Sequence, residues 1–271
     1  TCYRPEGEFT ILPCTWHEMG ISLWGRLGKW RYEAIVVPAL NSNMFNNANW
    51  VKNGSASAYE FRVANHLAGA ARVDNYSVKN LHLGVSGYVG NCFNNDIVTN
   101  EFSETSQYKD VKGTVVIGTA EFDYKANGLV VRGNFDYGYL SEANLISSWN
   151  KNQNHQSFSP YPRSMVGEKA IAYGGEAAYD IFRPMKRISD QKLYVFGRYD
   201  YYDSYIPSPL TLTDYQWTDR HVMTLGLNYY PTKNIVVKAE YAKRFLKEQY
   251  NDEPSFSIGV AYSGFFLGNP F

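Results

Sequence analysis

Asp219 to Ala242 reads Asp-Arg-His-Val-Met-Thr-Leu-Gly-Leu-Asn-Tyr-Tyr-Pro-Thr-Lys-Asn-Ile-Val-Val-Lys-Ala-Glu-Tyr-Ala. Two alternating apolar and polar runs flank Pro231, Thr232, Lys233 and Asn234, which is the pattern of a strand, a tight turn and a strand. Met223, Leu225, Leu227 and Tyr229 fall on one side, with Thr224, Gly226 and Asn228 on the other. After the turn, Ile235, Val237, Ala239 and Tyr241 share a face opposite Lys238 and Glu240. The hairpin thus has one apolar and one charged face. Its arms match the roughly 9 to 11 residues that a β-strand needs to cross a bilayer.

The same alternation recurs along the chain. Strands are expected near 19–27, 30–40, 67–75, 81–89, 112–124, 129–139, 169–181 and 192–202, with a last one at Phe256, Ile258, Val260 and Tyr262. The Asn127-Gly128 pair suits a two-residue hairpin turn, and a short helix is expected around Ser141 to Trp149. With about eleven strands and no long helix, the fold class is all-β, an antiparallel up-and-down barrel. Connections alternate between a short set near Lys29, Ser77, Lys125, Pro184 and Thr232 and a long set near Asn53, Asn100, Lys151 and Leu210. Outer-membrane barrels sort their loops in this way, with short periplasmic turns and long external loops. Single-chain bacterial barrels have even strand numbers, so residues 1–271 read as a single domain truncated at its N-terminus, part of a larger even-numbered barrel. A short strand at Phe9 to Leu12 is the alternative source of a twelfth.

Composition narrows the function. Lys+Arg and Asp+Glu each number 26 in 271 residues, which gives no basic surface for nucleic acid. The chain has no run of 18 apolar residues, so a helical span is excluded, whereas a β span is diluted by its lumen face, consistent with a mean hydropathy of -0.40. Three cysteines are too few for a disulfide scaffold; Cys2 and Cys14 are a candidate small loop, with Cys92 left unpaired.

Thr10-Ile-Leu-Pro-Cys-Thr-Trp-His-Glu-Met-Gly-Ile-Ser-Leu-Trp-Gly resembles the Pro-x-Thr-Trp-x-Glu-x-Gly signature of porin-like outer-membrane barrels of Gram-negative bacteria. Gly226-Leu-Asn-Tyr-Tyr-Pro with Asn234-Ile-Val-Val-Lys-Ala-Glu-Tyr resembles the closing hairpin of the phosphate-selective porin type, and together these match its middle and C-terminal parts. The family's lysine- and arginine-rich lumen is missing here. The terminal Phe271 is similar to the aromatic end read by barrel-assembly machinery, although Gly268 and Pro270 interrupt the strand before it.

Fifteen charged residues are expected to line a lumen: Arg26, Arg31, Glu33, Arg72, Asp74, Glu121, Asp123, Arg132, Asp136, Glu176, Asp180, Arg198, Asp200, Lys238 and Glu240. Six are cations and nine are anions, a balance that tilts a water-filled pore toward cations; the bland alternative is that they pair across strands and fill the barrel. Trp16, Trp24, Trp30, Trp217, Tyr229 and Tyr230 lie near strand ends, where an interfacial aromatic girdle belongs. Enzyme signals are weak. The five histidines lack metal-ligand spacing, and Gly84-Val-Ser-Gly lacks the strand-turn-helix setting of a nucleophile elbow. Asn91, Asn94, Asn95 and Asp96 read as a solvated loop rather than a Ca²⁺ site.

The expectation is therefore a bacterial outer-membrane porin that passes small hydrophilic solutes or ions by diffusion. It is no enzyme, needs no cofactor, and partners the bilayer and lipopolysaccharide, with a homo-oligomer or envelope complex as options. The alternative is a non-conducting scaffold, adhesin or envelope-complex component.

Overall fold

The computed structural model describes residues 6–13, 15–55, 65–152, 165–185, 191–210, 214–246 and 254–264. Cys2, Cys14, His155 and Phe271 lie outside them, and with them the disulfide loop and the aromatic C-terminus. The expected strands are present: β1 (Ile21–Leu27), β2 (Trp30–Pro38), β3 (Leu67–Asn75), β4 (Leu81–Asn91), β5 (Thr114–Ala126), β6 (Leu129–Leu140), β7 (Lys169–Asp180), β8 (Lys192–Ile206), β9 (Asp219–Tyr230), β10 (Ile235–Leu246) and β11 (Pro254–Tyr262). They form one 11-stranded sheet in which every strand pairs antiparallel with its neighbours in sequence. Among the described residues no ladder joins β1 to β11. A helix, α1 (Ala143–Asn152), stands where the short helix was expected. No helix among the described residues is long and apolar enough to cross a membrane.

Local chemistry explains the tight turns. Asn127 and Gly128 have φ of 52° and 81°, so both central residues of the β5–β6 turn are left-handed, as a two-residue turn matched to strand twist requires. Side-chain period then divides the sheet into two faces. One carries exposed Leu23, Val85, Leu225, Ile258 and Val260, each 61% exposed or more. The other carries the charges and is the concave side, because a single buried cluster on it gathers side chains from β2 through β9.

The long connections depart from expectation. They read as polar and irregular, yet they build a hydrophobic cap over one end of the charged face. Trp50, Leu40, Phe45, Val51, Cys92, Leu140 and Ile146 are at most 1% exposed. Trp50 lies over Gly138 of β6, where no side chain fits beneath the ring, and its indole N–H donates to the Gly167 carbonyl at 3.0 Å. Asparagine is frequent here because its amide satisfies buried backbone. Asn95 donates to the Ala39 and Leu40 carbonyls at 2.7 and 3.1 Å, and Asn150 of α1 donates to Ser42 at 2.9 Å. Cys92 is a free thiol in this cap, and burial pushes its pKa up. The supposed strand at Phe9 to Leu12 is instead a turn and bends after a short 3-10 turn (Glu6–Glu8), with Ile11 sunk into the cap.

If this packing holds the connections, Trp50→Ala leaves an indole-sized void and lowers stability by about 3–5 kcal/mol. The expected reading is a lower denaturation midpoint, with strand content retained by far-ultraviolet circular dichroism below that midpoint.

Candidate functional site

Register puts all fifteen expected charges on the concave face. Arg26, Arg31 and Asp74 lie side by side on β1, β2 and β3, and Asp123, Arg132, Glu176 and Arg198 are successive partners across β5 to β8. On that second row the sign alternates from strand to strand, the arrangement that stabilises cross-strand neighbours. Arg132 Nε lies 3.2 Å from Glu176. Four further cations share the face by register: Lys125, Lys192, Arg220 and Arg244. They follow the same alternation but sit close to strand ends, where the pattern was read as turn or connection. They offset the acidic excess.

Most of these groups are tied into local networks. Arg72 forms a bidentate contact to Asp74, with Nη2 at 2.8 Å and Nε at 3.1 Å from Oδ1, and also pairs with Glu121. His82 Nε2 lies 2.8 Å from Asp74 and its ring stacks on Tyr76. Arg198 is clamped by Asp200 at 2.6 Å and reaches Asn134 at 3.4 Å, with only 3% of its side chain exposed. Lys125 holds Asp123 at 2.7 Å, and Arg31 stands 3.8 Å from Glu33. Asp180 accepts the backbone N–H groups of Phe182 and Leu193, Asp136 accepts Asn134, and Lys238 and Glu240 face the same side on β10. Exposure differs among these cations: Arg132 and Arg31 leave about half of their side chains open to solvent and Lys125 leaves 62%, whereas Arg198 leaves 3%.

The N-terminal segment adds a feature that strand periodicity does not carry. Glu6 pairs with Arg244 of β10 and accepts the Tyr202 hydroxyl of β8 at 2.6 Å. The chain then crosses the charged face, and Trp16 packs against Tyr88 of β4 with ring centroids 4.9 Å apart. Trp16 is thus on the concave face rather than at a bilayer interface. Trp24 shares that face, because it pairs with Glu33 and lies two residues from Arg26. Tyr230 also faces inward beside Tyr194, since adjacent Tyr229 takes the outer side against Phe182. Trp30 is on the outer face, half exposed at a turn, and Trp217 sits in a 3-10 turn at the long-connection end with Arg220 over its ring.

Among the described residues, the groups with catalytic or metal-binding potential are engaged with protein partners. Ser86 Oγ is engaged with Thr119 at 2.6 Å rather than with His82, whose Nε2 is on Asp74. The ligand atoms of Asp74, His82 and Glu121 lie within 4.8 Å of one another, but the Arg72 guanidinium bridges both carboxylates and supplies the positive charge an ion would bring. In the Asn-rich loop, Asn91 accepts Thr114, Asn94 accepts Asn100, Asn95 accepts His66, and Asp96 accepts Asn43 and Ile97, so these oxygens hold protein donors.

Arg198→Leu is expected to cost about 3–5 kcal/mol, because it leaves Asp200 buried without its cation. Arg132→Leu leaves Glu176, whose side chain is 6% exposed, beside Arg198 on the next strand, and is expected to cost less, about 1–3 kcal/mol. Denaturation midpoints of the two variants, compared with the parent, check the contrast.

No family model matches the chain. An uncharacterized protein of Aquifex aeolicus (strain VF5) is 24% identical over 257 residues, covering 93% of this chain and 54% of that protein. The chain therefore spans about half the length of the curated relative it matches. Among solved structures, a porin refined at 1.8 Å shares 11% identity over 90% of this chain and 60% of its own, with a TM-score of 0.46. A loop L8 deletion mutant of OmpT, an outer membrane protein of Vibrio cholerae, shares 13% over 90% and 62%, with a TM-score of 0.45. No residue role is carried over from either.

Proposed function

We propose that this chain belongs to a bacterial outer-membrane β-barrel that lets small hydrophilic solutes or ions diffuse across the membrane. The observation that carries the reading is the division of the sheet. Large apolar side chains stand exposed on the outer face of strand after strand, from Ile21 and Leu23 through Val85 and Leu225 to Ile258 and Val260. Soluble monomers rarely expose contiguous apolar patches beyond a few hundred Å², and hydrocarbon is the solvent that such a wall fits. The opposite face carries charge and meets water. Selectivity then follows from lumen width and from the charges left open to solvent, with Arg31, Lys125 and Arg132 among them. The family resemblance to phosphate-selective porins does not extend to anion preference here, because cations and carboxylates alternate on this face. No covalent step or cofactor enters the reading.

One observation favours a second reading, a non-conducting scaffold or envelope-complex component. The cap and the N-terminal segment occupy part of the concave face, and in that reading they close it.

Planar-bilayer recordings separate the two: ohmic current steps are expected from the pore, and silence from correctly folded protein favours the scaffold. Within the pore reading, Arg132→Glu is expected to move the reversal potential in a salt gradient toward cation selectivity; an unchanged value removes Arg132 from the conduction path. Leu225→Lys, near the middle of β9 on the outer face, is expected to lower folding stability in lipid vesicles by about 2–4 kcal/mol. An unchanged stability would mean that this face does not meet hydrocarbon.

A further inference from the structure

We propose that a cleft on the concave face, between the N-terminal segment and β2 to β5, binds a small organic cation with an apolar body. The cleft holds about 490 Å³, the size range of a small-molecule site. It departs from the rest of this face, where ion pairs line the wall. Trp16 and Tyr88 form one side, their planes tilted by 38°, and Ile35 and Ile117 continue it. Tyr88 is held in place because its hydroxyl accepts the Leu40 N–H at 3.2 Å. Apolar surface left open to water favours an apolar occupant.

The sign of the occupant's charge follows from the groups around it. Glu18 and Glu33 stand at the margin. Glu18 accepts the Trp16 indole N–H at 3.2 Å, which places a carboxylate beside an aromatic ring. Glu33 is 39% exposed, with Arg31 at 3.8 Å. Arg72, the cation nearest the cleft floor, is bound by Asp74 and Glu121, so it offers little to an incoming anion. Carboxylates therefore outnumber guanidiniums here, and the potential attracts a cation. An ammonium or guanidinium group beside the Trp16 ring gains a cation–π contact as well. A sulfonate or phosphate group would meet Glu18 and Glu33 instead.

The inference rests on the reading that this face is in contact with water and solutes, but binding is measured without conduction. The test is isothermal titration calorimetry of the whole chain, folded in non-ionic detergent, with benzyltrimethylammonium as the cationic probe and benzenesulfonate as its anionic counterpart. Saturable binding of the ammonium is expected, with the sulfonate at least about tenfold weaker. Glu33→Gln and Trp16→Leu are each expected to weaken the ammonium by about five- to tenfold while circular dichroism stays unchanged. Equal or tighter binding of the sulfonate overturns the proposal. So does unchanged affinity in both folded variants, or the lack of any saturable heat from the folded parent chain. Should neither variant fold, the comparison of the two probes on the parent decides alone. Ammonium binding by a protein silent in bilayers leaves the cleft in place and removes the pore. Conduction without ammonium binding does the reverse.

Discussion

Strand pairing in consecutive order is the constraint on which the rest of this structure depends. Each backbone N–H and C=O must find a partner, and a wall of sequence neighbours supplies one locally for every strand but the two at the edges. Once the ladders are in register, side-chain direction is no longer free, because a slip of one residue would turn a whole strand inside out. Ten ladders, from Leu27↔Trp30 at one end to Ile235↔Tyr262 at the other and with one register shift between Lys169 and Ile171, therefore place the exposed apolar rows on one side and the charged rows on the other. The exposed outer leucines and valines and the inner arginines and carboxylates are consequences of the same geometry.

This explains what was legible in the sequence. Alternation is a local signal, and the hairpin at Asp219 to Ala242 shows it without interruption, so strands, turns and faces could be read directly. The short helix was legible too. Where alternation stops, reading failed. The cap is assembled from Trp50, from Cys92 with Asn95, and from Asn150, which come from three connections and meet only through tertiary packing, so no window of sequence displays it. An asparagine-rich stretch looks solvated when its composition is taken alone; here Asn95 and Asn150 spend their amides on buried carbonyls.

The aromatic residues make a related point. Position near a strand end suggests an interfacial girdle, but parity decides the face. Trp24 is in phase with Arg26, and Tyr229 and Tyr230, being adjacent, cannot both point outward. Trp16 precedes the first strand and is governed by the path of the N-terminal segment instead. Charge at the strand ends is likewise hidden from a count by alternation. Lys192, Arg220 and Arg244 lie near strand ends, and the electrostatic character of the face depends on pairing more than on number. Arg198 is sealed against Asp200, whereas Arg132 remains half open.

The Glu6–Arg244 contact joins positions 238 residues apart in the chain. Such a closure cannot form during early synthesis or after the first hairpins alone, because its second half lies on the tenth strand. Long-range closures of this kind raise contact order and come late. The Glu6 contacts to Arg244 and Tyr202 therefore require β8 and β10 to be in their final places before the N-terminal segment can dock across the wall.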